Sequence, residues 1–540
     1  MDTTYVPQKG GRAATQPTTQ PTSGPALSES PILRLSLQEV VHRAVNNNME
    51  IRIAGYDPAI DSNRVIEAEA AFDPTFFVTP GYEWKNVQLP GQLIGGPNAV
   101  TTGFEQRQET YSFASGIRQQ METGGTGELR YETSRSYNSP TNTVFNPYYT
   151  NNLVAEIKQP LLKNFGVEVN RARITVARND QRISMLEFRK KLEETLYNVE
   201  DTYWRLVLAE ADVKISEDLL SRTIETAELL ARRGTQDITR VQTSQANSAV
   251  QSRRALLIRA RAHVRDLSGQ IKRLMNDPEL PVASNVVVLP ASSPIKSPIH
   301  FNPADQVNQA LEHRFELGQQ LLRIDSASLV TRVAKNNLLP TLNANSAVTV
   351  NGSEANWTST NTDQFEFSHI GYKLGLQLEI PIGNRQARAV YQRTLLQRQQ
   401  QVDTYRNLIE QVSLEVDTAL RNVQTSWDET IANRQAVLAN ADALDSIVLR
   451  EKDGNEPLTY SFVQLKLDTQ ARLADAARNE AQSISTYCTA IAALERSKGT
   501  LLRYDNVMMD EDRLGVIVRS KIAENIPQPI LPGLDPNKGQ

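Results

Sequence analysis

The chain has a single cysteine, Cys488, in 540 residues, which excludes an internal disulfide and any zinc cluster built on several thiolates. Cys488 falls with Ala481, Ile484 and Ile491 on one face of a helical pattern, the place of a small core side chain. The five histidines, His42, His263, His300, His313 and His369, are scattered without metal-ligand spacing. Gly124-Gly125-Thr126-Gly127 lacks the Lys-Ser/Thr of a phosphate loop and lies between strand-like segments, so it reads as a turn. Aromatics make up only 6% of the chain, and a net charge of -4 leaves no basic excess for a nucleic-acid partner. No stretch approaches the roughly eighteen uncharged apolar residues of a membrane helix. A membrane role must therefore use strands or a surface helix.

The first thirty residues, MDTTYVPQKGGRAATQPTTQPTSGPALSES, are rich in Pro, Thr, Gln, Ser and Gly, and residues 1–33 read as a disordered segment. They show no basic region followed by an apolar one, so no signal peptide is visible. Residues 506–540, which close on IPQPILPGLDPNKGQ, read as an irregular tail.

Between these ends the chain repeats itself. Residues 38–75 set against 304–341 pair Val41 with Val307, Ala44 with Ala310, Glu50 with Glu316, Ser62 with Ser328, Ala68 with Ala334, Pro74 with Pro340 and Thr75 with Thr341. Each copy is followed by strands, a Pro-centred corner, a long helix, a Gly-containing break and a second long helix. This order predicts an internal duplication, with one repeat over 34–290 and another over 291–505. The first holds strands at about 75–160 and a helical hairpin at about 167–276, then a linker; the second holds strands at about 341–381 and a hairpin at about 384–503.

The long helices carry their own signal. Leu196, Val199, Tyr203, Leu206, Val213, Leu220, Ile224, Ala227 and Ala231 fall on one seam at alternating spacings of four and three, broken where Glu210 and Glu217 occur. The helix from Asn384 to Arg450 would run roughly 100 Å at 1.5 Å per residue. The breaks at Arg233-Gly234-Thr235-Gln236-Asp237 and Asp453-Gly454-Asn455-Glu456-Pro457 suit hairpin tips.

The strands are two-faced. Tyr372, Leu374, Leu376, Leu378 and Ile380 point one way, while Gly371, Lys373, Gly375, Gln377 and Glu379 point the other. Leu342 to Val350 and Phe76 to Trp84 alternate similarly. Apolar-out, polar-in strands with aromatics near their ends are the pattern of an outer-membrane barrel, although a soluble sandwich strand alternates too. Four to six strands per chain cannot enclose a lumen, so a barrel would have to be shared among chains.

The stretches LSLQEVVHRAVNNNMEIRIA, AAFDPT, NNLLPT, KQPLLKNFG, EIPIGNRQARA and STYCTAIAALERSKGTLL, in this duplicated order from Leu35 to Tyr504, resemble the outer-membrane efflux protein family, TolC-like. The resemblance implies a mixed, mainly α fold, in which long antiparallel helical hairpins form a periplasmic α-barrel joined to a transmembrane β-barrel with strands shared in a homotrimer. It implies a passive exit duct of a tripartite efflux or type I secretion system in the cell outer membrane, embedded in lipid. The duct would be docked by a periplasmic adaptor and driven by an inner-membrane pump or ABC exporter, with no cofactor and no catalysis. Such a protein must be exported, so the visible start would be either processed or placed too far downstream.

By the same resemblance, Gly234, Thr235, Gln236 and Asp237, with Asp453, Gly454, Asn455 and Glu456, would gate the duct and meet the adaptor. Pro74, Pro160, Pro340, Pro381 and Gly383 would mark the strand–helix corners, and Lys373, Gln377 and Glu379 would face the lumen. Family members with a cation-selective constriction carry acidic residues just after the second tip. Here that stretch reads Tyr460, Ser461, Phe462, Val463 and Gln464. A soluble coiled-coil scaffold would account for the helices but not for the alternating strands, and nothing in the sequence names an exported substrate.

Overall fold

The chain is described from a computed structural model over residues 31–89, 104–139, 145–232, 240–452, 459–510 and 517–520. The first half runs β1 (Ile32–Leu35), α1 (Leu37–Asn47), α2 (Met49–Ala54), α3 (Tyr56–Glu69), β2 (Thr75–Leu89), β3 (Phe104–Gln120), β4 (Thr126–Ser139), β5 (Tyr148–Pro160), α4 (Val167–Asn170), α5 (Ala172–Arg232), α6 (Arg240–Met275) and β6 (Val287–Pro290). The second half runs α7 (Pro303–His313), α8 (Phe315–Asn336), β7 (Thr341–Glu354), α9 (Trp357–Phe365), β8 (Ile370–Glu379), α10 (Arg385–Lys452), α11 (Tyr460–Lys498), α12 (Leu501–Tyr504), β9 (Val507–Asp510) and β10 (Ile517–Ser520).

Local chemistry explains where the helices start and stop. Ser36 caps α1 in a reciprocal box with Glu39, whose carboxylate accepts from the Ser36 amide at 2.7 Å. Asn48 accepts from the amides of Glu50 and Ile51 to open α2, and Asn302 followed by Pro303 opens α7. Helix α11 stops at Gly499, with φ at 73°, where an added Cβ would lie 2.8 Å from the His313 carbonyl oxygen.

Six strands form one antiparallel sheet in the order β2-β3-β4-β5-β7-β8. The first half contributes four strands and the second two, and the β5–β7 ladder joins them from Tyr149↔Glu354 to Pro160↔Asn343. Helices α5 and α10, of 61 and 68 residues, are about 90 and 100 Å long at 1.5 Å per residue. The pairs α5/α6 and α10/α11 pack lengthwise, and α11 lies along α5.

The main core gathers where α1, the first half of α5, the end of α6 and the end of α11 meet, around Leu192, Leu196, Val199, Tyr203 and Ile271. The Tyr203 hydroxyl donates to the Leu35 carbonyl at 3.0 Å and accepts from the amides of Ala291 and Ser292 at 3.2 and 3.0 Å. Tyr487 does the same further along, donating to Ser297 and accepting from Ile299. Two buried phenols thus pin the 291–299 linker onto the helices, and Cys488 lies buried beside them.

Three sequence expectations need correction. The apolar seam of α5 holds through Leu206 and then moves one residue back, to Ala209, Ser216, Leu219, Thr223, Thr226 and Leu230, while Val213, Leu220, Ile224 and Ala227 are only half-buried and Ala231 is exposed. Successive spacings of three residues at Tyr203, Leu206 and Ala209 shift the heptad phase, which is why Glu210 and Glu217 interrupted the unshifted series. Segment 1–33 reaches into structure, because Ile32 and Leu33 belong to β1, which pairs in parallel with β6 and is anchored by buried Leu35. The tail is not wholly irregular either, for β9 and β10 pair antiparallel from Val507↔Ser520 to Asp510↔Ile517.

Buried carboxyls give the helical body a pH dependence. Burial pushes Glu193 up to about 8, against a lowering contribution from the Leu501 amide, which donates to it at 3.1 Å. Burial also raises Glu200 and Asp505, and the Asp505 charge raises Glu200 further. The folded state then holds protons that the unfolded chain releases near its ordinary carboxyl range, so stability falls as pH rises through that window. Heat denaturation followed by circular dichroism should show the midpoint dropping between pH 5 and pH 8. Glu193→Gln should flatten that slope, removing a dependence of at most about 5 kcal/mol; an unchanged slope would exclude Glu193 as its source.

Candidate functional site

Register assigns each sheet residue to a face, since directly paired residues share one. On one face lie Phe76, Ile117, Leu129, Ala155, Val348 and Tyr372, one from every strand, followed by Val78, Ser115, Tyr131, Leu153, Val350 and Ile370. Ile157, Leu374, Leu376, Leu342 and Leu378 extend it toward the helices. Phe76 is 68% exposed, Leu374 85% and Leu376 73%. An apolar surface running unbroken across six strands is far larger than the isolated exposed leucines of a soluble protein.

The opposite face is polar. One row of it, near the helix end of β2, β3 and β4, runs Thr75, Arg118, Glu128, Glu156, Ala347 and Lys373. Arg118 meets Glu128 at 2.7 Å, and Arg130 meets Glu132 at 2.7 Å, Glu128 at 3.1 Å and Glu156 at 3.6 Å. Gly116 sits opposite Arg130, where a Cβ would come within 2.8 Å of the arginine backbone. Lys373, Gln377 and Glu379 lie on this face as the alternation predicted, paired with Ala347, Asn343 and Thr341. The ion-pair network was missed in the sequence, although its signal is present: Glu128, Arg130 and Glu132 are charged at every second position of GELRYETS.

At one end of the sheet a collar connects strands to helices. Pro74 precedes β2, Pro160 ends β5, Pro340 precedes β7, and Pro381 and Gly383 separate β8 from α10. The proline ring supplies no amide to a ladder, so each suits a strand end. The collar ties the halves together: Leu161 donates to the Leu342 carbonyl at 2.7 Å, Lys163 to that of Pro340 at 3.3 Å, and the Asn164 amide to Asn336 Oδ1 at 2.7 Å. Asn384 Nδ2 reaches the Leu338 carbonyl at 3.0 Å. The β3–β4 turn is part of the collar, as Gly166 donates to the Thr123 carbonyl at 3.2 Å.

The hairpin-tip residues Gly234, Thr235, Gln236 and Asp237, and Asp453, Gly454, Asn455 and Glu456, lie outside the described residues. Just beyond the second tip, Thr459 caps α11, and Phe462 and Val463 are buried against Leu230, Ala246, Ile447 and Leu467. That stretch is core. Lys466 and Glu451 form a buried ion pair at 2.6 Å beside it. Among the described residues no helix is long and apolar enough to cross a membrane.

A six-stranded antiparallel sheet with hairpins of about 100 Å leaving one end has counterparts among solved structures. The CmeC outer membrane channel of Campylobacter jejuni superimposes with a TM-score of 0.60 at 13% identity, covering 86% of each chain. The chain has the outer-membrane channel fold. The outer membrane protein VceC of Vibrio cholerae matches with a TM-score of 0.59 at 15% identity over 86% of this chain and 96% of that one. The MtrE outer membrane channel of Neisseria gonorrhoeae, in its open state, matches with 0.60 at 16% over 88% and 94%. No protein-family model and no curated protein matches the sequence. At such identities it is the arrangement of the channel fold, rather than side chains, that the proteins share.

Two collar glycines separate backbone strain from crowding. Gly383 has φ at 87° with open space around it, whereas Gly124 has φ at 93° and a Cβ there would lie 2.2 Å from the Asn164 carbonyl oxygen. Gly383→Ala should cost about 1 kcal/mol from φ alone, and Gly124→Ala distinctly more. Comparing the thermal unfolding of the two purified variants checks the order; equal losses would mean that the collar yields at Gly124.

Proposed function

We propose that the chain is the outer-membrane channel of a tripartite efflux or type I secretion system, a passive duct for small molecules or proteins. The observation that carries this reading is the sheet itself, with lipid-suited side chains on one face of all six strands and ion-paired groups on the other. Its likeness in fold to CmeC, VceC and MtrE supports the same reading.

A six-stranded sheet with free edges at β2 and β8 is a segment of wall. The two edge strands run in opposite directions, so β8 of one copy can pair antiparallel with β2 of the next. Three copies of six strands give 18, in the range of barrels that enclose an aqueous channel. Sheet face and collar then define an axis along which the hairpins extend into the periplasm as an α-barrel. We assign gating and adaptor contact to the tips, Gly234 to Asp237 and Asp453 to Glu456, with energy supplied by an inner-membrane pump or ABC exporter. The duplicated halves would place two hairpins per copy around the duct. No step of catalysis belongs to this reading, and the water-filled lumen leaves the choice of cargo largely to the pump.

Protein purified in detergent should be a trimer by multi-angle light scattering, and a monodisperse monomer would defeat the shared barrel. Leu376→Arg should lose folded trimer from outer membranes, at a cost of roughly 2 to 4 kcal/mol, whereas Gln377→Arg, one residue on and facing the lumen, should cost little. Equal yields, or the reverse order, would mean that the apolar face does not meet lipid.

A further inference from the structure

Helix α9, between β7 and β8, lies on the apolar face of the sheet. Gly352 pairs with Asn151, and Asn151 with Thr133, in the row next to Tyr131, Leu153 and Val350 on that face. A Cβ on Gly352 would meet the Thr360 carbonyl oxygen at 2.5 Å, so the helix backbone lies directly over this row. Asn361 Oδ1 accepts from Tyr131 Oη at 2.8 Å and from Asn151 Nδ2 at 2.6 Å, and Gln364 Nε2 donates to the Val350 carbonyl at 3.3 Å. Asn151 is fully buried beneath it.

The helix is therefore oriented opposite to one packed in water. Thr360, Asn361 and Gln364 form one stripe at a helical period and dock on the sheet. Trp357, Phe365 and the adjoining Phe367 remain 52, 62 and 52% exposed, while Thr358, Thr362 and Glu366 occupy the far side. A helix at a water-facing sheet turns its apolar side chains inward. Here the polar Thr360, Asn361 and Gln364 are turned inward, Phe365 projects from the flank between them and Thr362, and Trp357, at the first position of the helix, and Phe367, beyond its end, remain exposed. The helix covers the polar rows beyond the end of the apolar band, at the end of the sheet opposite the collar. Tryptophan and tyrosine concentrate at this boundary in membrane proteins, and amphipathic helices that carry Trp, Phe or Leu on one face lie along it. Helix α9 packs on β5 and β7, the two strands that join the halves.

We infer that α9 is an interfacial helix on the outside of the barrel, seating Trp357, Phe365 and Phe367 at the headgroup–acyl boundary of the outer leaflet. Its partner is the lipid surface, and the inference rests on the barrel reading above.

Nitroxide labels at Phe365→Cys, Thr362→Cys and Leu376→Cys, in a Cys488→Ser background and reconstituted in phospholipid vesicles, test it by collision with oxygen and with a water-soluble nickel chelate. The oxygen-to-nickel ratio should be several-fold higher at 365 than at 362, and high at 376. A label at 365 that behaves like the one at 362, or is shielded from both reagents, while 376 remains in lipid, overturns the inference alone. A label at 376 in water overturns the barrel reading and this inference together. Should labelling at 365 prevent folding, quenching of tryptophan fluorescence by lipids brominated near the headgroup decides: Trp357→Phe should lose part of it, and an undiminished signal overturns the placement.

Discussion

The β5–β7 ladder is the constraint on which the rest of the structure depends. It pairs a strand of the first half with one of the second across some 180 intervening residues, most of them helical, from Tyr149↔Glu354 to Pro160↔Asn343. Because side chains alternate with a period of 2, this register decides whether Leu374 and Leu376 share a face with Phe76 and Ile117 or with Arg118 and Glu128. A slip of one residue would place Lys373 among the apolar rows and Leu374 beside Glu156. Both halves can present apolar side chains to one solvent only while this ladder keeps its register.

The collar shows how that register is maintained. The Leu161 amide extends the ladder one bond past Pro160, to the Leu342 carbonyl, and Asn336 holds the next turn through both its amide donor and its acceptor, to Leu162 and Asn164. The corners of the two halves differ in length, since eleven residues separate Pro160 from α5 but only five separate Glu379 from α10. The longer corner is filled by α4 and clasped by the β3–β4 turn through Gly166. A four-stranded half therefore uses its extra hairpin to brace its own exit.

Much of the fold was legible in the sequence where one physical rule acted alone. Strand facing followed from alternation, because Tyr372 to Ile380 has no competing pattern, and the corners followed from prolines that cannot continue a ladder. The seam of α5 was legible only to Leu206, since beyond it the helix lies between α6 and α11 and buries small polar residues such as Ser216, Thr223 and Thr226 that no apolar count detects. Thr223 accepts from the buried Arg253 guanidinium, which also reaches Gln470 and the Leu467 carbonyl. That contact between hairpins is specified by polar groups, so hydropathy is blind to it. Helix α9 was hidden for a related reason: its inward face is polar, and NWTSTNTDQF reads as loop to any rule that seeks a buried apolar stripe.

The even number of strands in each half explains why these parts assemble without conflict. Four strands return the chain from Pro74 to Pro160 at the same end of the sheet, and two return it from Pro340 to Pro381. All long helices consequently leave from one end, and α9 lies at the other. An odd number in either half would send a hairpin out of the wrong end, whereas adding or removing a whole β-hairpin changes only the width of the wall. The departures of α5 and α10 would be unaffected. The perimeter of the sheet can therefore vary by two strands at a time while the helical body keeps its packing, and the unequal halves of this chain are one such combination.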